Sequence, residues 1–308
     1  MSFLGIDTSN YTTSLALLDG ETVRTCAQLL PVRPGELGLR QSEALFAHVK
    51  RLPELANSLF SSSGPGPIAA IGVSTRPRAV EGSYMPCFLA GESQAKVLAA
   101  ALHVPVYEFS HQQGHIAAVA YGAGRPELLE VPLLAWHLSG GTTELLYVEP
   151  ENGLPKAVKI GGTTDISAGQ LIDRTGQLLG LDFPSGRALD ELSRSAEEAP
   201  FFKVKCRDAS FSLSGVENQV QAFYKTSKDP AKTAAFALQS VAWAVAKATE
   251  QAMGDRPGLP VLFSGGVASN SLLRAKMAGF APVFAPPEYS RDNAYGIACL
   301  TSRSWEGK

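Results

Sequence analysis

The sequence predicts an α/β protein built from two similar halves. Residues 3–19 and 133–149 share one pattern: an apolar strand, a short loop of small and hydroxyl-bearing residues, and a second apolar strand. Segments with helical periodicity, interrupted by a further apolar strand, follow each pair. An opening hairpin followed by alternating helices and strands is therefore repeated, which indicates a duplicated α/β unit.

The elements are predicted in the same order in both halves. A third strand is predicted near residues 21–30 in the first half and near 156–162 in the second. The stretch SSSGPGP at 61–67 is an internal loop, because the strand-like IAAIGVS follows it directly. Helices are predicted at about 41–60, 90–102, 165–180 and 232–253.

The boundary between the halves is predicted in YGAGRPELLE, near residues 121–130. A chain of 308 residues is long for one hydrophobic core and comfortable for two. We therefore expect an N-terminal domain at 1–125 and a C-terminal domain at 126–308.

The composition is that of an ordinary globular protein, with 45% apolar and 18% charged residues and a formal net charge of −2. No overall basic field favours nucleic acid or an anionic membrane. An RNA-binding patch within residues 24–51 is the alternative to a solvated surface, but acidic residues dilute its basic ones, which are Arg24, Arg33, Arg40, Lys50 and Arg51.

The four cysteines form no CxxC pair, so neither disulfides nor a zinc ribbon are supported. The N-terminus has no signal-peptide pattern, and no apolar stretch is long enough for a membrane span. We expect a cytoplasmic protein with no membrane partner.

Three loops combine serine, threonine and glycine: TSNYTT in the first half, and SGGTT and SGGVASN in the second. Such loops expose backbone N–H groups and hydroxyls to an anion. The third loop runs from a strand into a helix, whose N-terminus adds the positive end of its dipole. Because two of the loops occupy equivalent positions of the repeat, we predict a nucleotide cleft between the halves.

The segment SHQQGHIAAV at 110–119 places His111 and His115 one helical turn apart, so that both imidazoles face the same side. The pair is either half of a metal site or two polar residues on one exposed face. Gly114 between them suggests close packing, because glycine is costly inside a helix. The sequence argues against a zinc peptidase of the HExxH type, because Gln112 stands where the glutamate base would be.

Further motifs occur along nearly the whole chain in a fixed order. They are GIDTS at 5–9, HQQGH at 111–115, SGGTT at 139–143, GGTTDISAGQLIDRTGQLLGLDFPSG at 161–186, FSLSG at 211–215, SGGVASNSLLR at 264–274 and YSRDNAYGIA at 289–298. Together they resemble the GIETS, HxxGH, SGGHT, GETxDD, FSFSG, GGVxANxxLR and TDNGAMIA motifs of the universal transferases that make threonylcarbamoyladenosine in tRNA. That family was formerly called the O-sialoglycoprotein endopeptidases.

The resemblance implies two actin-like, ribonuclease-H-like domains of the ASKHA superfamily, with ATP or threonylcarbamoyl-adenylate between them. It implies that His111, His115 and Asp292 hold one divalent metal, iron or zinc, although Asp292 alone also suits a helix N-cap. The substrate and nucleotide contacts that it implies are Ser9, Leu138, Ser139, Gly140, Gly141, Thr142, Asp173, Gly186, Asp190, Gly266 and Asn270.

The reaction implied is acyl transfer to tRNA. The adenine amine of tRNA attacks the carbonyl of threonylcarbamoyl-adenylate, and AMP leaves. The metal acts as a Lewis acid and an orienting template rather than as a source of hydroxide. Positioning and charge stabilisation then supply most of the catalysis.

The chain departs from the family pattern at several places. The acidic pair of the first loop is replaced in Asn10-Tyr11-Thr12, and the small AGPG turn is replaced by STRPRAVEGSYMPCF at 74–88, which carries Arg76 and Arg78. The new segment is either a structural substitution or a different donor or acceptor site, because arginines suit phosphate or carboxylate. The other departures are Thr142 for histidine, Arg174 for lysine and Glu217 for lysine.

Two alternatives to the family reaction follow from these departures. One is a divergent paralogue that carbamoylates another acceptor. The other is a nucleotide-binding, non-catalytic partner of a true transferase. The resemblance also implies that the chain forms a homodimer or a heterodimer with an actin-like paralogue, and works with a helper ATPase.

Overall fold

A computed structural model describes residues 1–9, 11–31, 39–61, 66–286, 289 and 293–307. The chain divides into two compact units that are not consecutive in sequence. Unit 1 comprises residues 1–131, 149–157 and 288–308, and unit 2 comprises residues 132–148 and 158–287. No helix among the described residues combines the length and the apolar character needed to cross a membrane.

Unit 1 contains a five-stranded sheet in the order β3-β2-β1-β4-β5. The first three strands form an antiparallel meander, and β4 and β5 continue the sheet parallel to β1. Residues of β1 are almost all buried, since both faces of this central strand are covered. The strands are β1 (Ser2–Ser9), β2 (Thr12–Asp19), β3 (Thr22–Leu29), β4 (Ile68–Arg76) and β5 (Val106–Ser110).

Among its described residues, unit 1 contains the α-helices α1 (Gln41–Ser61), α2 (Phe88–Leu102), α3 (His111–Gly122) and α9 (Asn293–Glu306). The first two helices bury apolar side chains against Leu4, Ile6, Ile71 and Val73 of the sheet. The C-terminal helix α9 packs against β1, β2, β4 and α3. The end of the chain therefore completes the unit that its beginning starts.

Unit 2 contains a seven-stranded sheet in the order β12-β11-β6-β7-β8-β10-β9. The strands β6 and β7 are antiparallel, whereas β11 and β12 lie parallel to β6. The strands are β6 (Leu133–Leu138), β7 (Thr143–Glu151), β8 (Leu154–Thr163), β9 (Cys206–Arg207), β10 (Ser210–Phe211), β11 (Val261–Ser264) and β12 (Pro282–Phe284).

The α-helices in the described part of unit 2 are α4 (Ala168–Leu178), α5 (Gly186–Ser193), α6 (Ser214–Ser227), α7 (Pro230–Gly254) and α8 (Ser271–Met277). The long helix α7 is buried along much of its length. Many of its buried residues are alanines, whose small side chains allow neighbouring elements to pack closely against the helix. Trp136 is fully buried, and its indole N–H donates to Thr249 Oγ1 of α7 at 2.9 Å.

The predicted duplication is confirmed by the strand orders. In unit 2 the run β8-β7-β6-β11-β12 repeats the run β3-β2-β1-β4-β5 of unit 1. The helices and third strands predicted from periodicity are also present, with ends shifted by a few residues. The division at 125/126 assumed consecutive domains, whereas residues 288–308 group with unit 1, because α9 packs on the first sheet.

Candidate metal and nucleotide sites

The two histidines of HQQGH lie at the start of α3, as the spacing predicts. Ser110 and Gln113 form a reciprocal capping box, which fixes the first turn of the helix. The ring centroids of His111 and His115 are 4.5 Å apart, with the ring planes at 68°. Both imidazoles therefore occupy one side of the helix N-terminus.

Asp7, at the carboxyl end of β1, orients His111. Its Oδ2 lies 2.8 Å from His111 Nδ1 and accepts a hydrogen bond from Ser74 Oγ at 2.6 Å. Its Oδ1 accepts from the Ser9 N–H at 3.0 Å. Burial alone would raise the pKa of this fully enclosed carboxyl, but His111 and the hydrogen bonds from Ser74 and Ser9 hold the pKa below its ordinary value.

Two glycines explain how α9 reaches the same place. A Cβ added to Gly296 would lie 1.9 Å from the Gly114 carbonyl oxygen, and one added to Gly114 would lie 3.0 Å from Ile297 Cδ1. The predicted packing role of Gly114 is thus confirmed. Asn293 begins α9, and its Nδ2 lies 3.0 Å and 3.3 Å from the two ring nitrogens of His111.

The two imidazoles of unit 1 are donors of the kind that a divalent metal ion takes. Because Asp7 accepts a hydrogen bond from His111 Nδ1, the lone pair of the ring lies on Nε2, the nitrogen that binds the ion in carboxylate–histidine–metal arrangements and from which Asn293 Nδ2 lies 3.3 Å. Asn293 Oδ1 is buried and has no hydrogen-bond partner among the described residues. The predicted third ligand, Asp292, lies outside the described residues. Within the described part of the chain, no cluster of three or more His, Cys, Asp or Glu side chains could hold a metal.

The segment that replaces the family's small turn lies beside these histidines. Arg76, the last residue of β4, pairs with Ser110, which caps α3. The Gln112 N–H donates to the Pro77 carbonyl at 3.0 Å. The altered segment is thus attached to the first turn of α3, and its backbone helps to position the helix. Asn10 of the first loop lies outside the described residues.

The SGG loop of unit 2 connects β6 to β7, directly after the buried Leu138. The Ser139 N–H donates to the Thr142 carbonyl at 2.8 Å, and the Thr142 N–H donates to Ser139 Oγ at 3.1 Å. Gly140 and Gly141 face open space, since a Cβ added to either would contact nothing within 4 Å. These glycines are therefore not required for packing, and they leave room for a ligand to approach the backbone.

The third loop lies directly beside the first loop of unit 2. Gly265 has φ +88°, and a Cβ added to it would lie 2.2 Å from the Leu138 carbonyl oxygen. Gly266 follows at the start of a short 3-10 helix, Gly266–Ser269. Both loops leave the carboxyl ends of the neighbouring parallel strands β6 and β11. The predicted residues 138–142 and Gly266 are thus brought together.

The remaining predicted residues of unit 2 occupy two places. Asp190 Oδ1 accepts hydrogen bonds from Asn270 Nδ2 at 2.8 Å and from Ser271 Oγ at 2.7 Å, so Asp190 and Asn270 are adjacent. Asp173 Oδ1 accepts from the Ser185 N–H at 2.9 Å, next to Gly186 at the start of α5. Burial raises the pKa of Asp173, and the hydrogen bond opposes this shift.

Two of the departures from the family pattern contact each other. Arg174 Nη1 lies 2.7 Å from Glu217 Oε2, across the packed helices α4 and α6. The family pattern has lysine at both positions, so the reversal of charge at 217 gives Arg174 a partner. The two departures therefore form one local change.

Asp7 and Ser74 were missed as site residues by sequence reasoning. In the sequence, Asp7 is the one carboxylate in the buried first strand. Burying a charged group costs free energy unless the group is paired, so Asp7 could have been recognised as a site residue. Ser74 gave no such signal. Sequence spacing could not place Asp7 or Ser74 beside His111, because these two residues lie in β1 and β4, far from His111 along the chain.

Comparison with protein families gives one assignment. The family model TsaD, tRNA N6-adenosine threonylcarbamoyltransferase, matches residues 36–299. A tRNA N6-adenosine threonylcarbamoyltransferase of Thermus thermophilus is 35% identical over 314 residues, covering 98% of this chain and 93% of the relative. Another, of Carboxydothermus hydrogenoformans, is 30% identical and covers 96% of this chain and 90% of the relative.

Solved structures show the fold. Full-length HypF in its phosphate- and nucleotide-bound form matches with a TM-score of 0.61 at 12% identity, over 99% of this chain and 46% of HypF. This chain thus spans about half the length of HypF. A ROK family glucokinase of Streptomyces griseus, in complex with glucose and AMPPNP, matches with a TM-score of 0.54 at 12% identity, over 98% of this chain and 100% of the glucokinase. These structures share the α/β fold that the sequence predicts.

Proposed function

Because this chain belongs to the tRNA N6-adenosine threonylcarbamoyltransferase family, we propose that it transfers a threonylcarbamoyl group from threonylcarbamoyl-adenylate to adenosine in tRNA, with one divalent metal bound. The observation that carries the metal part of the proposal is the contact between the buried Asp7 carboxylate and the half-buried His111. A non-catalytic protein would not need a carboxylate that orients one of two adjacent imidazoles.

The metal ligands proposed are His111, His115 and Asp292, with iron or zinc as the ion. Asp292 is supported by its neighbour Asn293, which contacts His111. When bound, the metal supplies a Lewis acid that polarises the carbonyl of the donor. Asp7 keeps His111 in the tautomer that can act as a ligand, and Ser74 and Ser9 hold Asp7 in place.

The glycine loops of unit 2 are proposed to bind the adenylate. The open backbone at Gly140 and Gly141 suits the phosphate, and Leu138, Ser139 and Thr142 are proposed as nearby contacts. Ser9 of unit 1 is proposed as a substrate contact from the resemblance alone. Asp173, Gly186, Asp190, Gly266 and Asn270 are proposed for the ribose and base. Asp190 and Asn270 already bind each other, so they are expected to act as one preformed unit.

In the reaction proposed, a new C–N bond forms between the adenosine amine and the carbonyl carbon. The C–O bond to the phosphate breaks, AMP leaves, and the amine proton passes to solvent. We propose this step without an acidic pair in the first loop, since Asn10, Tyr11 and Thr12 stand there. It depends on holding donor and acceptor together and on stabilising the negative charge on the phosphate.

A dimer is proposed through α1 and α2. These two helices pack against each other and leave large apolar side chains exposed, which are Phe46, Val49, Val97, Leu98 and Leu102. Such an apolar surface suits a second helical pair, either from a copy of this chain or from an actin-like paralogue. A helper ATPase and a cytoplasmic location stay predictions from the family.

Arg76, in the segment that departs from the family pattern, favours one alternative function. Arg76 stands where the family has a small turn, and its side chain makes one hydrogen bond, to Thr75 Oγ1 at 3.3 Å, and no ion pair among the described residues. A guanidinium at the end of β4 suits a carboxylate or phosphate. A paralogue that carbamoylates a small anionic acceptor is therefore the second candidate function.

A transfer assay tests the proposal. Purified protein with measured metal content is mixed with threonylcarbamoyl-adenylate and unmodified tRNA, with and without partner proteins, and digested tRNA is examined by mass spectrometry. His115→Ala is expected to lose the metal and the modified nucleoside, and Asp7→Asn to weaken metal binding by about 10–100-fold. The control His103→Asn removes an exposed imidazole at a left-handed position that asparagine tolerates, and it should change neither readout.

The other outcomes of this assay separate the alternatives. AMP release without modified tRNA would assign another acceptor. Absence of both products, from protein that carries no metal, would contradict the transferase and leave a nucleotide-binding partner.

A further inference from the structure

An open depression of about 480 Å³ lies on unit 2. Its lining includes Lys203, Lys205 and Arg207 from the segment that leads into the edge strand β9, and Trp243 and Lys247 from α7. Val204 is buried in the core of unit 2 and fixes this segment against the domain. The basic side chains are thus displayed by an anchored backbone.

Trp243 organises the basic side chains around it. The ammonium groups of Lys203 and Lys276 lie 5.7 Å and 5.1 Å from the centroid of its ring, within the range of cation–π attraction. Phe201 packs against the same indole, with ring centroids 5.4 Å apart. The Trp243 patch is defined by Lys203, Lys205, Arg207, Trp243, Lys247 and Lys276.

The patch is poor in neutralising carboxylates. Lys247 pairs with Glu250 at 2.6 Å, and Arg207 with Asp208 at 3.5 Å. For the other three lysines, no carboxylate lies within 4.0 Å among the described residues. The whole chain carries 27 basic and 29 acidic side chains, so five cations against two carboxylates mark a local departure from its balance.

We propose that the Trp243 patch binds backbone phosphates of the RNA acceptor, an inference that rests on the proposed function. Four of its five cations are lysines, which act as mobile point charges and suit a row of phosphates better than one bidentate anion. The depression is open rather than enclosed, so it suits a chain that passes across it. An edge strand also favours charged residues at 205 and 207, but this does not account for Lys247 and Lys276, which come from helices.

The test is the binding of unmodified tRNA by the full chain over a series of salt concentrations. The triple variant Lys203→Gln, Lys205→Gln, Lys276→Gln removes three charges and keeps much of each aliphatic stem. Loss of three phosphate contacts should weaken binding by 10-fold or more, and reduce the slope of log K against log salt by about 2–3. KM for tRNA should rise in the transfer assay, while kcat at saturating tRNA is unchanged.

The control is a second triple variant, Lys96→Gln, Lys156→Gln, Lys225→Gln, which removes the same charge outside the patch. It should keep the affinity and slope of the wild type. Equal binding by wild type and patch variant would overturn the proposal and leave the proposed function intact. Absence of tRNA binding by the wild type would contradict both. Binding to anionic phospholipid vesicles that depends on the patch, with tRNA binding unaffected, would assign the patch to a membrane surface and overturn the proposal.

Discussion

His48 is fully buried in unit 1, where its Nδ1 lies 2.8 Å from Thr13 Oγ1. Its Nε2 is buried with no hydrogen-bond partner among the described residues. Burial lowers the pKa of His48, and the charge of Asp7 and the Ser9 backbone oppose this effect. The folded protein therefore holds this imidazole neutral.

The stability of unit 1 should consequently fall in mild acid. Above the unfolded pKa of about 6.5 neither state binds a proton at His48, so its stabilising contribution is fully present. Below that pH the unfolded chain binds a proton at His48 and the folded chain does not. The stabilising contribution is therefore lost as pH falls through the lower folded pKa. Urea unfolding of wild type and His48→Gln between pH 8 and 5 measures this, with the wild type losing more free energy of unfolding. Parallel curves would contradict the prediction.

At the candidate metal site, some contacts could be predicted from the sequence and others depend on the fold. His111 and His115 are four residues apart on one helix, so their spacing alone places both rings together. Asp7 is 104 residues from His111, and only the parallel arrangement of β1, β4 and β5 joins them. The resemblance to the family supplied Asp292, which no spacing argument connects to residue 115.

At the scale of elements, Asp165 connects two helices of unit 2. It precedes α4, and its carboxylate accepts hydrogen bonds from the Leu213 N–H at 2.8 Å and from Ser214 Oγ at 2.6 Å, at the start of α6. Partial burial raises the pKa of Asp165, but these bonds and that from Ser212 outweigh burial and lower it to about 2. The carboxylate therefore acts as an N-terminal cap for a helix 48 residues away.

Asp165→Asn should lower the free energy of unfolding by about 1 kcal/mol at neutral pH, because the charged acceptor is lost from the helix start. A depressed carboxyl pKa stabilises above the unfolded value of 3.8, so the difference should persist there and disappear as pH falls through about 2. Asp208→Asn is the control: that carboxylate is 90% exposed, and its removal should cost less than about 0.5 kcal/mol. Equal losses in the two variants would refute the capping role.

The elements themselves were largely predictable, because the two opening hairpins contain apolar runs, such as LALL in β2 and LLAW in β6. The loops were recognisable for the same reason, since Ser and Gly interrupt those runs. The contact between Arg174 and Glu217 was not predictable: both departures are visible in the sequence, but their pairing depends on how α4 packs against α6. Local pattern fixes elements, whereas the partners of polar side chains depend on tertiary structure.

At the scale of the whole molecule, unit 1 combines the two ends of the chain. The residues Ala16, Ala118, Ala294 and Ala298 share one buried cluster, so small side chains allow α9 to approach β2 and α3 closely. Gly5 extends this contact, because a Cβ added to it would lie 2.2 Å from the Ala294 carbonyl oxygen. Residues 1–131 therefore cannot complete their core without residues 293–307.

This arrangement predicts that both ends of the chain unfold together, separately from unit 2. Gly5→Ala forces the backbone of α9 away from β1 and should destabilise unit 1 by about 1–3 kcal/mol. In hydrogen exchange followed by mass spectrometry, peptides from the first sheet and from 293–307 should exchange faster by a common factor. Peptides from 158–286 should be unchanged, since a foldon opens as one unit.

The matched control for this experiment is Gly215→Ala in unit 2. Gly215 lies in α6, and a Cβ added to it contacts nothing within 4 Å, so the same substitution should be neutral or stabilise by up to about 1 kcal/mol. Exchange in unit 1 should not respond to it. If Gly5→Ala instead accelerated exchange in 158–286 as much as in 293–307, the two units would be one cooperative structure. If 293–307 alone responded, α9 would be a peripheral helix rather than part of the core of unit 1.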